Sequence, residues 1–407
     1  MEVMTDFFAY EDLTWPEVAA LPRDTPLVIP LGTGYPLERL ANALGNPPCA
    51  GMLPPIPFGW AGSGVYVSEH LLATYLANLL DSLRDDGFGR VYGLTPQGLN
   101  WATWGGEAGR QAMRIALSSH RTSEVFENFA GFRLIPPDED RGKVVIIPIG
   151  HTEQHGHHLP LSTDTLIIDA IAQGVVEAVP DQATRLPVMP YGVSTHRQAF
   201  AGTLNAGGRA FEDFWLGVID TLAGRGFDRM YLISGHGGNC SFLVNVVKYT
   251  GERHRRIFCA TAWLHLSGPQ GVAALQGLRA SGIGGMGHAC ELETSLILHL
   301  RPSLVHMERA VDEIDFVATP SYFMDWVEGG ALVANPPWDD DTATGAYGAG
   351  SLATSEKGAA WLKAAIAEKV AHVAEIHEQQ MRREERRKNG FGLWGEEIDE
   401  RRRTKDD

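Results

Sequence analysis

The chain has 407 residues, with 44% hydrophobic and 21% charged side chains, the balance of a globular protein that buries a core. Its 34 basic and 50 acidic residues leave a net charge of −16, so neither nucleic acid nor an anionic membrane is an expected partner. The run Met1–Asp6 lacks a basic-then-apolar leader pattern, no apolar run approaches the roughly 18 residues of a membrane span, and four scattered cysteines make a disulfide framework unexpected, so a cytoplasmic protein is the expectation.

The length fits roughly two to three domains, or one large domain with an appendage. Thr14 and Glu17 form a capping-box pattern with Pro16 in the first turn, predicting a short helix. A strand follows at Leu27–Leu31. The Pro/Gly-rich stretch Asn46–Gly64 reads as irregular. Ser68–Arg84 carries leucines and Tyr75 at helical spacing, and Phe88–Leu94 reads as a strand. Glu107–Ser119 is a predicted helix. Arg133–Gly142, with Pro136, Pro137 and a cluster of acids, reads as a linker and the main boundary. The expected division is an N-terminal α/β region over 1–135, a second domain over 143–388, and a charged tail over 389–407.

From Lys143 the pattern alternates. Predicted strands are Val144–Ile149, Thr184–Pro190, Met230–Ser234 and Ile257–Leu264; predicted helices are Thr165–Val179, Ala210–Arg225, Ser241–Arg255 and Glu291–Leu300. Such alternation predicts an α/β fold, a doubly wound and mostly parallel sheet with helices on both faces. A long helix runs from about Thr354 to Lys388, its last turns purely charged.

The two halves echo each other. Leu27–Gly32 matches Val145–Gly150, Pro57–Gly59 matches Pro190–Gly192, and Gly87–Tyr92 matches Gly226–Tyr231, in the same order. A duplicated β/α unit is one reading; chance likeness between buried strands is the other. In either case the first half lacks the chemistry: Thr33-Gly34-Tyr35-Pro36 stands where the second has His151-Thr152-Glu153-Gln154-His155.

That second stretch carries the main signal. It runs from a buried strand into four histidines, Glu153 and Asp164. Glu153 and His155 share a side of extended chain, and Pro160 blocks any helix before Asp164. Carboxylate, imidazole and carboxylate at a strand end suit a divalent metal, Zn or Mn; a solvated His-rich loop is the plainer alternative. A second motif, Ser234-Gly235-His236-Gly237-Gly238-Asn239, follows the strand Met230–Ile233. Ligands of open α/β sheets gather at carboxyl ends of strands, so the fold can bring His236 to the first motif. Asn239 is placed to hold the turn, and the glycine spacing is not that of a phosphate loop. A third motif, His288–Ser295, opens a helix after a glycine run; its acids fit either a site or ordinary dipole matching. A fourth, Ser194–Thr203, contains His196, which fits either the site or a surface loop.

Together these motifs resemble the creatininase (creatinine amidohydrolase) family: Glu153 to Asp164, Ser194 to Thr203, Gly235 to Asn239, and His288-Ala289 with Glu293-Thr294-Ser295. Leu13–Glu17 and Gly348–Gly358 are similar to that family's opening and closing segments. The resemblance covers about 143–375. It implies a doubly wound α/β fold with one or two divalent metals, Zn and/or Mn. It places Glu153, His155, Asp164 and His236 on metal-ligand positions, with Asp164 bridging. It gives His288 proton transfer and makes Glu293 catalytic and a further ligand. Ser194, His196, Gly237 and Asn239 become substrate-binding candidates. Family members are oligomers, so a homo-oligomer is expected. Two departures stand out. Gly237 and Gly238 replace a tyrosine and a metal-binding glutamate, and Gly284 replaces a tryptophan before the active-site histidine. Creatinine is therefore not the expected substrate.

The resulting expectation is a metal-dependent amidohydrolase cleaving a C–N bond of a small amide, cyclic amide or formamide through an activated water. The alternatives are a lyase or isomerase on the same centre, and a non-catalytic binding subunit.

Overall fold

The computed structural model describes residues 4–60, 62–96, 113–117 (backbone only), 136–195 and 199–389. Two parallel sheets dominate. The first has five strands in the order β1-β3-β2-β4-β5, from β1 (Asp6–Ala9), β2 (Leu27–Pro30), β3 (Cys49–Met52), β4 (Val91–Pro96) and β5 (Met113–Leu117). Helices α1 (Trp15–Ala20), α2 (Leu37–Ala43) and α3 (Glu69–Asp85) connect them. The Thr14–Glu17 capping box is present: Glu17 accepts from both the backbone N–H and the hydroxyl of Thr14.

The second sheet has the order β7-β6-β8-β9, from β6 (Val144–Ile149), β7 (Ala183–Arg185), β8 (Arg229–Ser234) and β9 (Phe258–Thr261). Its helices are α4 (Thr163–Ala178), α5 (Gly208–Gly224), α6 (Gly237–Arg253), α7 (Pro269–Leu278) and α8 (Glu291–Leu300). A small antiparallel pair, β10 (Met286–His288) with β11 (Tyr347–Gly348), precedes the long α9 (Ser355–Lys388).

Alternation along β6 explains why helices cover both faces. Val145, Ile147 and Ile149 enter one core with Phe211, Phe214 and Trp215 of α5 and Leu243 and Val246 of α6. Val144 and Ile146 point the other way, against Ile167, Ile168 and Ile171 of α4 and Trp361 and Val373 of α9. A strand buried on both sides reads as a continuous apolar run, as Val144–Ile149 does.

The first core continues into the N-terminal sheet. Leu27 and Ile29 of β2 and Leu72, Tyr75 and Leu79 of α3 belong to the same cluster. Tyr75 packs on Phe214 at 4.7 Å between ring centres and donates to the Tyr191 carbonyl.

Three expectations change. Cys49–Met52, inside the stretch read as irregular, is a strand between β1 and β2. Its cue is masked by Pro47 and Pro48, and a Cβ at Gly51 would meet Leu27 at 2.6 Å. Met113–Leu117, inside the predicted helix Glu107–Ser119, is a strand with five residues in register with β4; pairing overrides its helix-forming Met, Ala and Leu. The rest of that helix, and the tail from 390, lie outside the described residues. Helix α7 was not anticipated. Among the described residues, no helix is long and apolar enough to cross a membrane.

Candidate metal centre

The site forms where β6, β8 and β10 end. After Ile149 the chain folds back between Glu153 and Leu161, whose backbones pair at 3.1 Å. The N-terminal segment braces this loop: the N–H groups of Leu161 and Ser162 donate to the carbonyls of Leu13 and Glu11. Asp164 then sits in the first turn of α4, where a carboxylate is favoured by the helix dipole. Gly235 lets β8 approach; a Cβ there would lie 2.2 Å from the Asp164 carbonyl.

Two sets of donor atoms meet at Asp164. On one side His236 Nδ1 lies 3.0 Å from Glu153 Oε1 and 3.3 Å from Asp164 Oδ2. On the other His155 Nε2 lies 3.2 Å from Asp164 Oδ1 and 3.9 Å from Glu293 Oε1. His155, Asp164 and Glu293 present atoms within 4.8 Å of one another, as do Glu153, His155 and His288. All six residues are buried.

Neighbouring hydrogen bonds orient the rings. His236 Nε2 donates to the Val193 carbonyl at 2.9 Å, leaving Nδ1 for the site. His155 Nδ1 donates to the Glu153 carbonyl at 3.1 Å, leaving Nε2. His288 Nε2 donates to the Gln154 carbonyl at 2.7 Å, which leaves Nδ1 3.6 Å from Glu153 Oε1. Such outer bonds are what fix metal-ligating imidazoles.

Glu153, Asp164 and Glu293 are three buried carboxylates whose ion-pair partners, among the described residues, are all histidines. Glu153 Oε1, His155 Nε2 and Asp164 Oδ2 are buried without a hydrogen-bond partner. Buried charge of this kind is costly unless a cation compensates it, and oxygen with imidazole donors suits Zn or Mn. The residues fit a divalent cation.

The electrostatics express the same crowding. Burial alone raises the Glu153 carboxyl, yet His236, His288 and His151 hold it well below the usual range. Burial opposes charge on His155, but Asp164, Glu293 and Glu153 push it up to about 9. Glu293 rises to about 7, through burial first and then Asp164 and Glu153. Burial, with His155 beside it, lowers His288 to about 3 and keeps its ring neutral.

The two acids of α8 divide their tasks. Glu291 pairs with Lys357 at 2.6 Å and accepts from the backbone of Ala280 and Ser281, so it is architectural. Glu293 keeps one oxygen near the Cys290 N–H at 3.4 Å and turns the other toward His155.

The substrate-binding candidates separate as well. Asn239 accepts from Val193 N–H and donates to the Gly150 carbonyl and Ser234 hydroxyl, which ties the ends of β6 and β8 to the segment that follows β7. The Ser194 hydroxyl is buried without a hydrogen-bond partner. A Cβ on Gly237 would lie 2.8 Å from the Trp326 ring, and one on Gly238 would lie 2.3 Å from His236 Nε2. Trp326 therefore fills the space a larger residue at 237 would need. His196 lies outside the described residues.

Four neighbours escaped the sequence reading. His151 lies against His236, 4.3 Å between ring centres. Gln154 accepts from Gly156 N–H and donates to the Gly345 carbonyl. Trp338 meets the His288 ring edge-on at 4.9 Å, and Trp326 covers Gly237. The tryptophans come from a Pro/Gly-rich segment with no motif; the histidine and glutamine stood inside one.

Comparison with known proteins bears on the family. The chain is 34% identical over 173 residues to a mycofactocin precursor peptide peptidase from Mycobacterium ulcerans, a match over 40% of this chain and 61% of that protein. It is 30% identical over 183 residues to a creatinine amidohydrolase from Pseudomonas putida, covering 42% and 68%. A crystal structure from Bacteroides fragilis, provisionally described as a creatinine amidohydrolase, shares the fold at 23% identity and a TM-score of 0.50, over 59% of this chain and 92% of that one. The chain thus spans less than two thirds of the first relative. Residues 135–373 match the profile of the family described as creatinine amidohydrolase, and the chain belongs to that creatininase family.

Proposed function

We propose that the protein is a metal-dependent amidohydrolase that cleaves a C–N bond of a small amide, cyclic amide or formamide. The observation that carries this is the buried meeting of Glu153, His155, Asp164, His236 and Glu293, with inward atoms lacking hydrogen-bond partners. The names of the relatives, a peptidase and an amidohydrolase, support the same bond class.

Glu153, His236 and one oxygen of Asp164 would hold one cation; His155, Glu293 and the other oxygen would hold a second. A divalent cation bound there supplies a Lewis acid for the substrate carbonyl and makes water acidic enough to attack near neutral pH. The remaining work falls to this chain. His288 is locked by its bond to Gln154 so that Nδ1 carries the lone pair, and it takes a proton from the attacking water at that atom. It returns the proton to the leaving nitrogen. Trp338 packs edge-on against the ring and shields it from bulk water. Asn239 holds the His236 turn, and the Ser194 hydroxyl supplies a donor for the substrate. Gly237 and Gly238 supply no side chain, so Glu293 completes the second set. Gly237 and Gly284 stand where the family carries a tyrosine and a tryptophan, which disfavours creatinine itself.

Hydrolysis in 18O-labelled water tests the reaction class. Label in the carboxyl product supports the reading, and a product without label points to the lyase or isomerase alternative.

A further inference from the structure

His151 makes one hydrogen bond that decides what it can do. Its Nδ1 accepts from the Gly192 backbone N–H at 2.9 Å. A ring nitrogen that accepts bears no proton, so the proton of this imidazole is on Nε2. Nε2 is buried, has no hydrogen-bond partner, and lies 3.7 Å from Glu153 Oε2. The ring lies against His236, 4.3 Å between centres and tilted by 33°.

His151, Glu153 and His236 bring donor atoms within 4.8 Å of one another, the spacing of another cation site. The Gly192 bond argues against that use. With Nδ1 engaged and Nε2 protonated, His151 offers no lone pair to a metal. It offers an N–H, 3.7 Å from Oε2 of a carboxylate whose other oxygen, Oε1, lies 3.0 Å from His236 Nδ1.

We propose that His151 is a positioning residue. With a cation bound, its Nε2–H would close the 3.7 Å gap to Glu153 Oε2 and leave Oε1 alone to meet the cation, fixing Glu153 as a one-oxygen ligand. The inference rests on the metal-centre reading above. A donor behind a ligating carboxylate orients it and raises affinity, and losing such a partner typically costs about 10–100-fold in metal binding.

The test is the zinc affinity of the purified protein, measured by competition with a chromogenic chelator. His151→Gln places an amide N–H near the Nε2 position. His151→Asn places an acceptor near Nδ1, within reach of Gly192, with no donor toward Glu153. His151→Phe keeps only the flat ring. Expected are a Gln variant within about threefold of the parent and Asn and Phe variants weaker by about 10–100-fold. Should the Phe variant not fold, the Gln and Asn pair decides the matter. Any other ordering in a protein whose parent binds zinc overturns the proposal. In particular, normal affinity in the Asn variant with loss in the Gln variant would assign His151 to Gly192 alone. A parent that takes up no zinc overturns the metal-centre reading instead.

Discussion

Two strand ends in this molecule are built alike and carry different chemistry. Strand β2 pairs with β4 from Leu27↔Val91, and β6 pairs with β8 from Val145↔Met230. Gly32 N–H donates to the Ile56 carbonyl at 2.9 Å; Gly150 N–H donates to the Met189 carbonyl at 2.8 Å. Past that point they diverge. After β2 the buried Tyr35 hydroxyl bonds back to the Leu31 carbonyl and closes the turn on itself. After β6 the chain delivers His151, Glu153 and His155 to a buried cluster. The backbone pairing provides a place, and the side chains decide whether anything happens there. That the N-terminal region is a degenerate copy is our proposal from this likeness. Its plain contribution is mechanical, since Glu11 and Leu13 brace the loop that leads to Asp164.

The comparison breaks first at the shared core. Phe214 is wholly buried between α3 and α5. Phe214→Ala should cost about 3–5 kcal/mol in denaturant melts. If the two regions depend on each other, one transition shifts as a unit. Two separated transitions would show that the N-terminal sheet folds independently.

The next effect falls on the second strand end only. Gly238→Ala puts a Cβ against His236 Nε2 and the Val193 carbonyl. Metal affinity should fall by about 10-fold or more through loss of that orienting bond, with a stability cost of about 1–3 kcal/mol. Unchanged affinity, measured by chelator competition, would show that His236 needs no such support.

On the first strand end the converse holds. Tyr35→Phe removes the bond to Leu31 and should cost about 1 kcal/mol, with metal affinity unaltered. A change in metal binding would mean that the two ends are coupled more closely than their geometry shows.

The smallest effect concerns the brace. Burial above all raises Glu11 to about 7 from an ordinary 4.5. The folded protein then binds more protons than the unfolded one across that window, so the contribution of Glu11 to stability falls as pH rises from 4.5 to 7. Glu11→Gln should flatten this and raise stability above pH 7, with little change at pH 4.5. A parent and variant with parallel pH profiles would contradict it.

Much of this was legible beforehand, for physical reasons. Glu153, His155 and His236 follow closely on apolar strands of a parallel sheet, with Asp164 opening the next helix, and such strand ends converge. Helix α8 matched its predicted limits because Cys290 and Glu293 form its cap. Strand β3 was hidden by prolines and glycines, and β5 by helix-forming residues whose pairing partner lies about twenty positions away. Trp326 and Trp338 reach the site from an irregular segment that has no period to read. His151 stood in view among the other histidines, but the Gly192 bond that sets its tautomer exists only in the fold.

Metal content per chain tests the central claim most directly. Elemental analysis of the purified parent and of Glu293→Gln, each after zinc loading and desalting, should give about two ions in the parent and about one in the variant, because Glu293 belongs to only one of the two sets meeting at Asp164. A parent with no bound metal, or a variant with an unchanged count, would contradict the account.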